Sequence, residues 1–152
     1  MSTVTGFAVA NTILMLAFQE HIEISNLKLQ KLVYFVYRDY LQATKDPLFS
    51  ERFETWKHGP VLPSIYQEFS SFGSKPITRF ATDASGNAYI IDMKQDSAFK
   101  AVVLNVWKQY RETKAWDLRD LTHSPGSAWD KAFHKKSRFL SDDDIQNEHL
   151  PA

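Results

Sequence analysis

Cysteine is absent from this chain, glycine and proline are scarce at five and six residues, and neither sign of charge prevails, with eighteen Lys and Arg against eighteen Asp and Glu. Without cysteine there is no disulfide, no thiol nucleophile and no thiolate zinc site, and a reducing compartment such as the cytoplasm is the expected location. Without net charge, no global field draws the molecule to nucleic acid or to an anionic membrane, so direct nucleic-acid binding is not expected. Long hydrophobic runs are missing too. The longest, residues 6–18, is broken by Asn11 and Thr12 and falls short of the ~20 residues that span a bilayer. No positively charged leader or small-residue cleavage site precedes Glu20, so this run reads as a core helix. Internal repeats, low-complexity tracts and Gly- or Pro-rich linkers are also lacking. What remains is a globular composition, 43% hydrophobic and 24% charged over 152 residues, which predicts one domain with a substantial core.

The most constrained stretch runs from Phe49 to Tyr66, FSERFETWKHGPVLPSIY. Phe53 to Lys57 reads as a strand. Gly59 and Pro60 read as a sharp corner that stops it, because glycine accepts backbone angles closed to other residues and proline restricts both itself and its predecessor. Pro63 suits a first helical turn, and Ile65, Phe69 and Phe72 mark one apolar face ending at Gly73.

Before this stretch, apolar spacing predicts a helix over 6–20 and a second over 26–44, the latter opened by Ser25 as N-cap with Ile24 and Leu29 as a hydrophobic staple. Its wide stripe, from Leu29 through Leu41, marks it as the central helix, with Lys28, Lys31 and Arg38 expected to face outward. After Gly73 the pattern turns to β. Residues 76–81 and 88–92 read as a hairpin across a turn-rich loop, with 53–57 as a possible third strand. Helical spacing returns from Asp96 to about Lys114. A short helix capped by Asp117, another opened by Ser127 and a last one behind Ser141 complete the chain. The expected class is α+β, predominantly helical: about seven helices around the central one, with a small two- or three-stranded antiparallel sheet.

Chemical motifs are few. Ser25-Asn-Leu-Lys28 has the Ser-x-x-Lys pattern without its companion elements, so Ser25 is read as a helix cap. The histidines at 21, 58, 123, 134 and 149 show no metal-binding spacing. Asp142 to Asp144 lie where a helix dipole favours acids. His123 and Ser124 are adjacent, which on a helix points them apart. Phosphate cradles and paired-carboxylate signatures are absent. No catalytic residue, metal ligand or cofactor is assigned, and the chain is read as a non-enzyme. Lys131, Lys135, Lys136 and Arg138, interleaved with aromatic residues, form one basic cluster suited either to a helix C-terminus or to an acidic surface. Two other readings are a hydrolase in which His58 and His123 converge beside a carboxylate, and a nucleic-acid binder using the basic cluster.

Three segments together resemble the Panacea domain family, which includes SocA-like antitoxins and phage-associated GepA-like proteins: Leu27-Lys-Leu-Gln-Lys-Leu-Val-Tyr-Phe35, then Pro47-Leu-Phe49 leading into Phe53-Glu-Thr-Trp-Lys-His-Gly-Pro-Val61 and Tyr66, and Leu121-Thr-His123 with Ala128-Trp129. The match covers most of 1–152 as a single domain. The resemblance implies a bacterial or phage-encoded cytoplasmic antitoxin that neutralises a cognate toxin by direct protein–protein binding. It also implies a second mode in which the toxin is delivered to a cytoplasmic ATP-dependent protease. With neither a separate DNA-binding module nor a long tail evident, a folded surface is expected to dock on the toxin. The residues expected to bind the partner are Lys57, His58, Tyr66, His123 and Trp129, while Trp56, Gly59 and Pro60 are expected to shape the corner.

Overall fold

Helix α2 is the axis of the molecule, and the other elements wrap it. The computed structural model describes residues 4–149. Among them are α1 (Gly6–Glu20), α2 (Asn26–Thr44), β1 (Glu54–Trp56), β2 (Gly59–Val61), α3 (Pro63–Glu68) with a 3-10 turn over Ser70–Phe72, α4 (Ser97–Tyr110), α5 (Ala115–Thr122), α6 (Ala128–His134) and α7 (Asp142–Gln146). The class is α+β and predominantly helical, with seven α-helices and one two-stranded antiparallel sheet among the described residues.

Caps set the helix starts. The Thr5 hydroxyl accepts from Ala8 N, Ser25 from Lys28 N, the Asp96 carboxylate from Phe99 N, Ser127 from Asp130 N and Ser141 from Asp144 N. Helix α5 differs from expectation. Its N-cap is Lys114, and Asp117 lies inside the first turn, where the dipole favours it.

Leu29, Leu32, Val33, Phe35 and Val36 of α2 are fully buried against α1, α4, α5 and α7. Lys28, Lys31 and Arg38, expected to face outward, are buried as well. An amphipathic pattern assumes one wet face, and an enveloped helix has none, so its polar positions must find partners inside. They do. Arg38 reaches Glu148 at 3.2 Å and Asp39 at 2.8 Å. Glu148 is itself buried and also accepts from Tyr34 Oη and Ala128 N, both at 2.8 Å. A network of this kind ties the C-terminal residues to the central helix.

The sheet forms elsewhere than expected. Residues 76–81 and 88–92 contain no strand. Their backbone groups are met by α1: Asn11 Nδ2 donates to Ala81 O and Tyr89 O, Ala81 N donates to Asn11 Oδ1, and Ile91 N donates to Thr12 Oγ1. The two polar residues that interrupt the apolar run thus replace a strand partner. Gly59 and Pro60 do not stop the strand either. The chain reverses at Lys57-His58, and Gly59–Val61 returns beside β1 in the register Glu54 to Val61, Thr55 to Pro60, Trp56 to Gly59. The third partner of this sheet is residues 138–140, through Thr55 N to Arg138 O (2.8 Å) and Leu140 N to Phe53 O (3.0 Å).

Candidate partner-binding site at the β-turn

Side chains at i and i+4 share one helix face, and on α2 that face is polar at Asn26 and Gln30, with Lys31 beside them. Asn26 Nδ2 donates to Tyr66 O (3.1 Å), Gln30 Nε2 donates to Asn26 Oδ1 (3.0 Å), Leu62 N donates to Gln30 Oε1 (3.2 Å) and Lys31 Nζ donates to Pro60 O (3.1 Å). This ladder clamps β2 and the start of α3 onto the core. Gly59 has φ 111°, and a Cβ there would lie 2.7 Å from Thr122 Oγ1 and 2.9 Å from Lys31 Cε, so glycine is required on both backbone and contact grounds. Gly59 and Pro60 are buried, and the turn between the strands carries Lys57 and His58 into solvent.

Beside the turn is a groove of about 360 Å³ lined by Trp56, Lys57, His58, Tyr66 and Trp116, with Asn26 and Gln30 of α2 also lining it. Trp56 meets Tyr66 edge-on at 4.9 Å between centroids, and His58 meets Trp116 edge-on at 5.1 Å. The Arg119 guanidinium lies 5.3 Å from the centre of the Trp116 ring. Trp116 is 55% exposed and Tyr66 41%; elsewhere on the surface Tyr89 and Phe133 are exposed as well.

Positive charge gathers here. Burial, and then the Arg119 cation, holds the Lys31 ammonium down at about 7. Loss of solvent lowers the His58 imidazole, helped by Arg119, Lys57 and Lys31. His123 is held to about 4 by burial first and then by Arg119 and Lys31, so it is neutral at physiological pH.

His123 and Trp129 lie behind the hairpin. Their rings stack at 3.7 Å and 6°, Trp129 continues the stack onto Phe133 at 4.7 Å, and its indole Nε1 donates to Trp56 O at 2.7 Å. Trp129 is 6% exposed. The structure therefore gathers Lys57, His58 and Tyr66 with Trp56 on one groove, and sets His123 and Trp129 in a second layer joined to it through the Trp56 carbonyl. Trp116, Arg119 and Lys31 complete the site without having been anticipated. For Trp116 a signal existed: it sits two residues before Leu118, about 200° around the helix from the apolar face.

The other motifs resolve locally. Among the described residues, no three His, Cys, Asp or Glu side chains come together as metal ligands. In the basic cluster, Arg138 pairs with Glu54 (3.1 Å), Lys131 with Asp144 (3.9 Å) and His134 with Asp130 (3.1 Å), while Lys135 and Lys136 stay exposed.

A family model described as antitoxin SocA-like, Panacea domain, matches residues 29–130. The chain belongs to the SocA-like Panacea-domain family. The matched span runs from α2 into α6 and holds the turn, Tyr66, Trp116, Arg119 and the His123–Trp129 stack. The chain is also 36% identical over 131 residues to Antitoxin SocA of Caulobacter vibrioides (strain NA1000 / CB15N), covering 84% of this chain and 70% of that protein. No solved structure matches it. Among the described residues of this Panacea-domain chain, no helix is long and apolar enough to cross a membrane.

Proposed function

We propose that this chain is an antitoxin that neutralises a cognate toxin by direct, stoichiometric binding, and that the toxin docks around the Lys57–His58 turn. The observation that carries the location is the pair of exposed rings, Tyr66 against Trp56 and Trp116 against His58, with the backbone of β2 and Tyr66 held by the α2 ladder. Large rings that are already ordered give contact area at low entropic cost, which is why such residues dominate interface energetics.

Strand addition is not the mode of capture. The outer edge of β1 is taken by residues 138–140, and β2 is held by Lys31 and Gln30, so recognition falls to side chains. Turnover is not assigned, because among the described residues no carboxylate lines the groove to orient His58 as a general base. A standard interface takes ~800 Å² from each partner, roughly a tenth of this molecule's 8432 Å².

Expressing the neighbouring reading frame with and without this chain tests the reading. Growth arrest that this chain relieves, at a steady level of the toxin, is the expected result. A harmless neighbour, or arrest that persists in the presence of this chain, refutes it. The location is tested by Lys57→Ala, His58→Ala and Tyr66→Ala combined, which should abolish relief while leaving the circular dichroism spectrum unchanged.

A further inference from the structure

We propose that the groove beside the turn is a subsite for an acidic side chain of the partner, set next to an aromatic or large apolar residue. This inference rests on the antitoxin reading and adds the chemistry of what is gripped. Lys57 and His58 are exposed at the turn, and Arg119 stands over Trp116 next to them. Lys31 lies directly beneath Gly59. Against the Lys57 and Arg119 cations the acids at hand are Asp120, 3.0 Å from Arg119 Nη1, and Glu54, which accepts from Trp56 Nε1 at 2.9 Å and is paired with Arg138. Among the described residues, the groove lining itself adds no carboxylate. A carboxylate entering beside Lys57 and Arg119 would meet complementary charge next to low-dielectric aromatic walls, where that charge counts for more than in open water. Trp116 and Tyr66 leave apolar ring surface uncovered, and an apolar neighbour of that acid would cover it.

The same cations favour a protein over a nucleic acid. They surround one turn and do not track along a face, a cavity of about 360 Å³ admits one or two side chains, and in the separate 131–138 cluster Lys131, His134 and Arg138 are paired with Asp144, Asp130 and Glu54.

The test is calorimetric titration of the full chain with the protein encoded by the adjacent gene, at low and at physiological salt. Lys57→Glu and Trp116→Ala are each expected to weaken binding by about tenfold or more, since charge reversal and loss of a ring act on the contacts proposed. Raising salt should weaken the wild type and weaken Lys57→Glu less. Lys135→Glu with Lys136→Glu, on the far cluster, should bind as wild type. Arg119→Glu should resemble Lys57→Glu, and the exposed Lys57 keeps the test decisive if the Arg119 variant fails to fold. Wild-type affinity in both Lys57→Glu and Trp116→Ala overturns the subsite and leaves the antitoxin reading standing. No binding by the wild type removes both. Displacement of the partner by a short duplex DNA, lost in Lys57→Glu, overturns the proposal in favour of a phosphate site.

Discussion

Replacing Lys31 by methionine should make this protein more stable at neutral pH and remove much of its alkaline pH dependence. Lys31 Nζ is enclosed beneath Gly59 with the Pro60 carbonyl as its hydrogen-bond acceptor and the Arg119 cation nearby. Its pKa falls from 10.5 unfolded to about 7 folded. The folded state therefore binds fewer protons than the unfolded state between those values, and stability rises with pH through that window. Below about pH 7 both states are protonated and the folded state carries the full cost of a buried ammonium, on the order of 5 kcal/mol at 1.36 kcal/mol per pKa unit. Lys31→Met keeps the aliphatic stem and removes the charge, but strands the Pro60 carbonyl at a cost of about 1–3 kcal/mol. The net expectation near pH 6.5 is a variant more stable by about 2–4 kcal/mol. Between pH 7 and pH 9.5 the wild type should gain about 3 kcal/mol on the variant, because deprotonation relieves its penalty and the variant has none to relieve. Urea unfolding of both proteins across this range, with m-values compared, measures the difference. Parallel curves would show that Lys31 stays protonated on folding and would refute the account of its burial.

Other perturbations have equally direct readouts. Gly59→Ala forces a Cβ into φ 111° and to within 2.9 Å of Lys31 Cε, and should lower stability by about 2–4 kcal/mol in urea unfolding. Glu148→Ala leaves Arg38 without its buried partner and Tyr34 Oη and Ala128 N without an acceptor, so a loss of about 3–5 kcal/mol is expected, and thermal unfolding would register it. Asn11→Ala removes the clamp on Ala81 and Tyr89. Amide exchange should accelerate in residues 78–92 while α2 stays protected, and uniform exchange would argue that the loop holds by other means. His123, held to about 4 against 6.5 unfolded, contributes stability that is lost as pH falls from 6.5 toward 4. His123→Phe keeps the ring against Trp129 and should flatten that acid limb, which circular dichroism at graded pH would follow.

The helices were largely legible in the sequence. Apolar spacing and the caps at Ser25, Ser127 and Ser141 act within a turn of chain, so their outcome is decided locally, and the predominantly helical class with its small sheet followed. The 76–92 segment was misread because β-branched and aromatic content registers fit to a pleated surface, whereas the partner on offer was the Asn11 and Thr12 side chains of α1. The corner residues were recognised but their geometry was not. A Gly-Pro pair reads as a stop, and here it is the returning strand, because Lys31 and Thr122 press on Gly59 from outside the segment. The offset of Trp116 from Leu118 puts it on the outer face of α5, and its place beside the turn is set by the packing of that helix.

By itself the sequence settled what short-range forces settle: a domain without disulfides, the helix starts, a central helix at 26–44, and motif blocks that resemble the Panacea family. Only the tertiary structure decided that three charged positions of that helix are interior, and that Trp116 and Arg119 of α5 come up beside the Lys57–His58 turn. The physical reason is distance along the chain. Whether Lys31 is wet or dry depends on elements about 30 and 90 residues away, and no periodicity around position 31 carries that information.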